Sequence, residues 1–299
     1  MRRQRWARWA QVVGLLMLCV LLAAAYVVVR ERPHGTPDQQ AASVAAHQDR
    51  EVQVLPVDER PVLVLLHGAG LNRRMWDPVI HQLDPRLRAI ALDLPGHGVR
   101  QQEVFSLEAA RSLVRHVAQR VAPAPVILAG DSLGGYVAMA SAATLPREQL
   151  RGLVLAGCSA NYDPADGPRV WQQLAVSRLT MAVKGEAWLA TYALQHFGVA
   201  PEVQSAMREA GLRLWAVEEA FDALKPVDFK GLLSQVEQPV LIVNGDGDVN
   251  AVKHEAEFLA AARQSSSHRL VHTGHGVSLL RPAEFAALMN AFSQRVLPP

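Results

Sequence analysis

The chain has 299 residues, half of them hydrophobic, with 30 Lys and Arg against 28 Asp and Glu. That is enough for one large domain with a well-buried core, or for two small ones. The first 32 residues carry six Arg against Glu31, so the remainder sums to −3, which excludes a nucleic-acid footprint on the globular part. The two cysteines, Cys19 and Cys158, exclude a disulfide framework, and no Cys/His cluster has zinc spacing.

Ala10 to Val29 is a run of 20 residues without a formal charge. As a helix it would be about 30 Å long, the thickness of a bilayer core. Arginines flank it, and Trp6 and Trp9 stand where interfacial aromatics belong. The run predicts an N-terminal transmembrane helix, with residues 1–30 as a single-pass anchor and membrane as a partner. The excess of Arg before it puts the N-terminus in the cytoplasm and the domain on the outer, periplasmic or extracellular, side. The competing reading is a signal peptide cleaved near Ala23-Ala24-Ala25, which would give a secreted protein. Residues 31–51, polar and rich in Gln and Ala, read as a flexible tether, and residues 52–299 as the globular domain.

Val52 to Val57 is a candidate edge strand. Pro61 to Leu66 is a buried strand running into His67-Gly68, and Met75 to Leu83 has helical spacing. Leu87 to Leu92 is a second buried strand, ending in Asp93-Leu94-Pro95-Gly96-His97-Gly98. Ser106 caps a helix to Val121. Pro125 to Ala129 and Leu150 to Ala156 are the next strands, followed much later by Pro239 to Asn244 and a short strand at Arg269 to His272. Pro282 to Val296 closes the chain as an amphipathic helix. Short apolar runs alternating with helices indicate α/β class, a mostly parallel, doubly wound sheet covered on both faces. The alternation breaks between about 160 and 238, a helix-rich stretch that reads as a helical cap inserted over one edge of the sheet.

Gly130-Asp131-Ser132-Leu133-Gly134 lies between a strand and a helix, the setting a nucleophile elbow requires. A serine at the tip of so tight a turn is exposed in a strained backbone, and side chains two residues away would collide, hence Gly130 and Gly134. Serine needs a base to take its proton and a third group to orient that base. Gly245-Asp246-Gly247-Asp248 and Thr273-Gly274-His275-Gly276 each follow a later strand, on the sheet edge that carries Ser132. His275 is the candidate base, with His272 its nearest rival inside a strand. Asp131 adjoins the nucleophile and reads as a structural turn residue. His67 and His97 belong to turns and read as partners of backbone.

Leu66-His67-Gly68-Ala69-Gly70, Asp93 to Gly98, Gly130 to Gly135, Gly245 to Asp248 and Gly274 to Gly276 occur in one order. In that order the chain resembles the α/β-hydrolase fold superfamily, in its capped serine carboxylesterase-like branch, over roughly Val52 to Leu297. The resemblance implies a cofactor-free and metal-free hydrolase acting on carboxylic esters through an acyl-enzyme. Ser132 would be nucleophile, His275 base and Asp248 the acid that orients it, with Asp246 as competitor. The backbone N–H groups of Ala69 and Leu133 would hold the oxyanion. Thioesterases, acyltransferases, C–C bond hydrolases and perhydrolases use the same triad, and some proteins of this fold bind ligands or partners without turnover. In the cap, Trp171, Trp188 and Trp215 point to an apolar group on a small-molecule ester, and Trp76 is a further pocket candidate; each reads equally as packing. Seven basic residues against nine acidic between Ala160 and Gln235 show no cluster for a phosphate-bearing substrate.

Overall fold

The computed structural model describes residues 36, 38–44 and 59–297. Six strands form one sheet: β1 (Val62–Leu66), β2 (Arg88–Leu92), β3 (Val126–Asp131), β4 (Leu150–Ala156), β5 (Val240–Gly245) and β6 (Ser265–Leu270). Their spatial order is β2-β1-β3-β4-β5-β6, and every neighbouring pair is parallel. A parallel sheet is buried on both faces, so its inner strands need apolar side chains at nearly every position. β1, β3 and β5 are buried along their whole length, which is why they stand out as continuous runs.

The two-residue period of the strands sorts these side chains onto two faces. Val62, Val64 and Leu66 of β1 join Val126 and Leu128 of β3 on one face. They pack with α2 (Leu107–Val121) and α3 (Leu133–Ala142). Leu63, Leu65 and Ile127 face the other way, in a cluster with Trp76, Phe285, Met289 and Phe292. Trp76 ends a 3-10 turn (Arg73–Trp76) that leads into the short helix α1 (Asp77–Ile80). The start of α2 follows the capping expectation, with Ser106 Oγ accepting from the Ala109 amide at 3.1 Å.

The stretch 160–238 contains α4 (Gly167–Lys184), α5 (Glu186–His196), α6 (Pro201–Glu209), α7 (Ala216–Leu224) and α8 (Phe229–Ser234). Among the described residues the chain divides into two compact units, one made of Pro164–Leu189 and the other holding the remainder with the sheet. Within the first, Asp166 pairs with Arg169 at 3.4 Å and Lys184 Nζ lies 5.8 Å from the Trp188 ring centre. Within the second, Phe229 and Leu233 of α8 join the α3 side of the core, where the Phe229 and Tyr136 rings are 4.6 Å apart. The last helices are α9 (Val249–Ala261), α10 (Val277–Leu280) and α11 (Pro282–Val296).

Three expectations change. The sixth strand spans Ser265–Leu270, not Arg269 to His272, and is mostly exposed. It is an edge strand whose outer surface meets solvent, so its serines satisfy the ladder without an apolar run to mark it. His272 therefore lies beyond the strand, exposed, at φ 55°. Part of the expected tether is helical: residues 38–44 follow a reciprocal pair of bonds between Thr36 and Gln39, and Ser43 Oγ donates to Glu103 at 3.1 Å.

The third change concerns the membrane. No helix among the described residues is long and apolar enough to cross one. The longest, the 18-residue α4, is interrupted by Arg169, Arg178 and Lys184. The expected single-pass anchor, outward placement and membrane partner are corrected accordingly. The run Ala10–Val29 on which they rested lies outside the described residues, as does the candidate strand Val52–Val57.

Candidate active site

Ser132 follows the last residue of β3 and precedes α3, with φ 53° and ψ −114°. This is a strained conformation for a residue with a side chain. It is held by the Ser132 amide donating to Ala156 O at 2.7 Å and by the close fit of two glycines. A Cβ on Gly130 would stand 2.1 Å from the carbonyl carbon of Gly134, and one on Gly134 would overlap the end of β1.

His275 is carried by the loop between β6 and α10, and Asp248 caps α9 just after β5. All three residues thus leave C-terminal ends of strands. His275 Nε2 lies 2.9 Å from Ser132 Oγ, and Nδ1 lies 2.6 Å from Asp248 Oδ2. Asp248 Oδ1 takes the Ala251 amide at 3.3 Å, which fixes the carboxylate. The other candidate acid, Asp246, accepts instead from the Thr273 amide at 3.1 Å and shapes the turn before His275. The His275 pKa is raised. Burial acts to lower it, and the Asp248 hydrogen bond with the charges of Asp131 and Asp248 outweighs that effect. Half of the His275 side chain remains accessible, so the loss of hydration is partial.

The loop carrying Ala69 runs beside the serine turn; a Cβ on Gly68 would be 3.7 Å from Ser132 Cβ. Two buried histidines brace it. His67 Nε2 accepts from the Leu94 amide and His97 Nε2 from the Gly70 amide, each at 3.0 Å. Both Nδ1 atoms then carry the proton and donate to carbonyls, Gly68 O and Pro95 O, at 2.8 and 2.9 Å. Burial lowers the pKa of His67 to about 4 and that of His97 to about 3, so both rings are neutral near pH 7.

Two contributors were not read from the sequence. Asp93 takes the Arg73 amide and guanidinium, both at 2.7 Å. Asn72, fully buried, donates to Met207 O and Gly211 O at 2.8 and 2.7 Å. The Arg213 amide donates to Gly70 O at 3.1 Å. The segment after α6 is thereby tied to the loop that carries Ala69. The available signal was Asn72 as the cap of a 3-10 turn, which marks a local role only.

A pocket of about 290 Å³ opens onto Gly68, Ala69, Ser132 and His275. Its walls include Met75, Leu194, Phe197, Leu214, Val217 and Leu280, and its polar side chains are those of Asp131, Ser132 and His275. Trp76 does not line it: the ring is fully buried, 5.9 Å from Phe285, so the packing reading holds for that residue. Trp215 is not in the lining, and Trp171 and Trp188 belong to the other compact unit. Leu, Val and Met side chains from separate segments, with Phe197, rather than tryptophans, make the wall. Among the described residues no three of His, Cys, Asp and Glu are placed to share a metal ion.

The family model described as Alpha/beta hydrolase family matches residues 63–288. The chain belongs to the alpha/beta hydrolase family. This alpha/beta hydrolase is 28% identical to a pimeloyl-[acyl-carrier protein] methyl ester esterase of Nitrosomonas europaea, over 77% of the chain and 95% of the relative. It is 32% identical to the protein of that name from Aromatoleum aromaticum, over 77% of the chain and 97% of the relative. Among solved structures it is similar in fold to MenH from S. aureus, with a TM-score of 0.66 and 19% identity over 80% and 95% of the two chains. A thermophilic esterase from Thermogutta terrifontis superposes with a TM-score of 0.64 and 24% identity over 79% and 90%. Within the family this alpha/beta hydrolase is a carboxylesterase-like enzyme.

Proposed function

We propose that the protein hydrolyses small to medium carboxylic esters with an apolar acyl chain, through an acyl-enzyme on Ser132. The observation that carries this reading is His275 at 2.9 Å from Ser132 Oγ and 2.6 Å from Asp248. In the first step His275 Nε2 takes the Ser132 proton as Oγ attacks the ester carbonyl. Asp248 holds the imidazole with Nδ1 protonated and stabilises the imidazolium that forms. The carbonyl oxygen, now negative, is received by the amides of Ala69 and Leu133, the latter at the positive end of α3. The tetrahedral centre collapses, and His275 returns the proton to the leaving alkoxide. Water then repeats the sequence and frees the acid.

The substrate class follows from the walls. At about 290 Å³ the pocket is at the small end of the roughly 300–1,000 Å³ usual for ligand sites. Beyond Asp131, Ser132 and His275 its lining offers no polar side chain to a second charged end. The relatives named above act on the methyl ester of a pimeloyl-[acyl-carrier protein], and that supports a narrower reading, because methylenes suit this lining. Hydrolysis of methyl esters of straight-chain acids beside the matching p-nitrophenyl esters tests it.

A fluorophosphonate should add one adduct to the protein, located on Ser132 by peptide mass, and none to Ser132→Ala. Equal labelling of both overturns the assignment. For the pocket, Ala193→Phe places a ring among Leu194, Phe197 and Leu214. Its kcat/KM for p-nitrophenyl octanoate is expected to fall at least about tenfold relative to the acetate ester, since a methylene excluded from a hydrophobic site costs 10-fold or more. An unchanged ratio would move the acyl chain elsewhere.

A further inference from the structure

We propose that Asp131 is a positioning residue for His275: tethered to Ser278, its buried carboxylate holds the histidine loop against the serine turn and sets a second negative charge beside the imidazole. This rests on the reading of Ser132, His275 and Asp248 given above.

Asp131 is 2% exposed, immediately before Ser132. Its Oδ2 accepts from Ser278 Oγ at 2.5 Å and from the Ser278 amide at 3.2 Å. Ser278 is fully buried and stands three residues after His275. The two bonds therefore join the end of β3 to the first turn of α10, directly after the loop that must hold His275 in line with Ser132. Orienting the imidazole does not require this carboxylate, because Asp248 already takes Nδ1–H. A buried charge without a cation is costly. Among the described residues neither Asp131 nor Asp248 is paired with Lys or Arg.

The groups facing this centre are few. From the end of β5 comes Asp248, from the serine turn Asp131 and Ser132, and from the end of β4 the Gly157 backbone. Cys158 also faces Asp131, and its buried thiol stays protonated because burial pushes its pKa well up. Burial raises the Asp131 pKa too, with the His275 charge and the Ser278 bonds acting in the opposite sense. Both carboxylates thus act on one imidazole, Asp248 through a hydrogen bond and Asp131 through its charge. When His275 takes the serine proton, the group of His275, Asp131 and Asp248 goes from −2 to −1 while the negative charge passes to the oxyanion at the Ala69 and Leu133 amides, so Asp131 favours the imidazolium formed during attack. The same interaction raises the His275 pKa, and activity requires the neutral imidazole, so Asp131 moves the acidic limb of the rate profile to higher pH.

The test is kcat/KM against pH for an activated ester, using the full chain. Asp131→Asn retains size and an acceptor for Ser278 but removes the charge. Its acidic limb is expected to shift down by roughly half to one pH unit, with a lower plateau. Ser278→Ala removes the strongest donor to Asp131, makes the carboxylate easier to protonate, and should shift the limb the same way by less. The second variant keeps the test open should the first not fold. A lower plateau with the limb in place in the variants that fold means structural support only, and overturns the proposal. Ser132→Ala separates the two readings: turnover within tenfold of the parent there sinks the acyl-enzyme reading itself. An inactive Ser132→Ala with unmoved limbs in the other two sinks the role of Asp131 alone.

Discussion

Ser132→Ala is expected to lower kcat/KM for p-nitrophenyl butyrate by about ten-thousandfold or more while leaving the fold intact. The loss is large because the acyl-enzyme route then lacks its nucleophile. What remains is water attack helped by the oxyanion amides and by binding alone. The fold should persist because the Ser132 backbone is held from outside, through its amide bond to Ala156 O and the fit of Gly130 and Gly134. Alanine has the same Cβ and meets the same strain at φ 53°. Initial rates and a melting curve on one preparation check both halves. Activity within tenfold of the parent would remove Ser132 from the reaction.

Gly134→Ala should damage the fold itself, by about 4 kcal/mol or more, a loss that single substitutions reach only through a specific defect such as steric overlap in a packed core. The new Cβ would lie 1.9 Å from Leu66 O and 2.4 Å from Leu66 C. Both are backbone atoms at the end of β1, a strand paired on both sides, so no side chain can rotate to make room. Either the start of α3 or the central strand must move, and the serine turn and the Ala69 loop move with it. Gly274→Ala is the control, since nothing lies within 4 Å of its Cβ position. Urea unfolding should place Gly274→Ala within about 1 kcal/mol of the parent. A Gly134→Ala protein equally stable would mean that the turn is not packed as described.

Elements whose requirements are local leave their mark in the sequence. β1, β3 and β5 were legible because burial on two faces demands unbroken apolar runs. β6 was not, because an edge strand can be built from Ser265, Ser266 and Ser267. Ser106 was legible as a cap because capping is settled within four residues. Trp76 was ambiguous, since a large ring near an active-site loop packs equally well into a core, and here it does.

The order of the glycine-flanked motifs already put Ser132, Asp248 and His275 after three strands in chain order, β3, β5 and β6, because the steric needs of a tight turn are local and leave a local mark. Their separation by 143 and 27 residues along the chain carries no distance. Only the parallel sheet, by placing every strand end on one edge, brought their side chains to 2.9 and 2.6 Å of one another. The pocket wall likewise comes from segments about β1, α5, α7 and α10, and no motif marks Leu194, Leu214 or Leu280. Asp131 shows the division within a single residue. Its position beside Ser132 was plain in the sequence, but its bond to Ser278 depends on a contact across 147 residues that only tertiary packing makes.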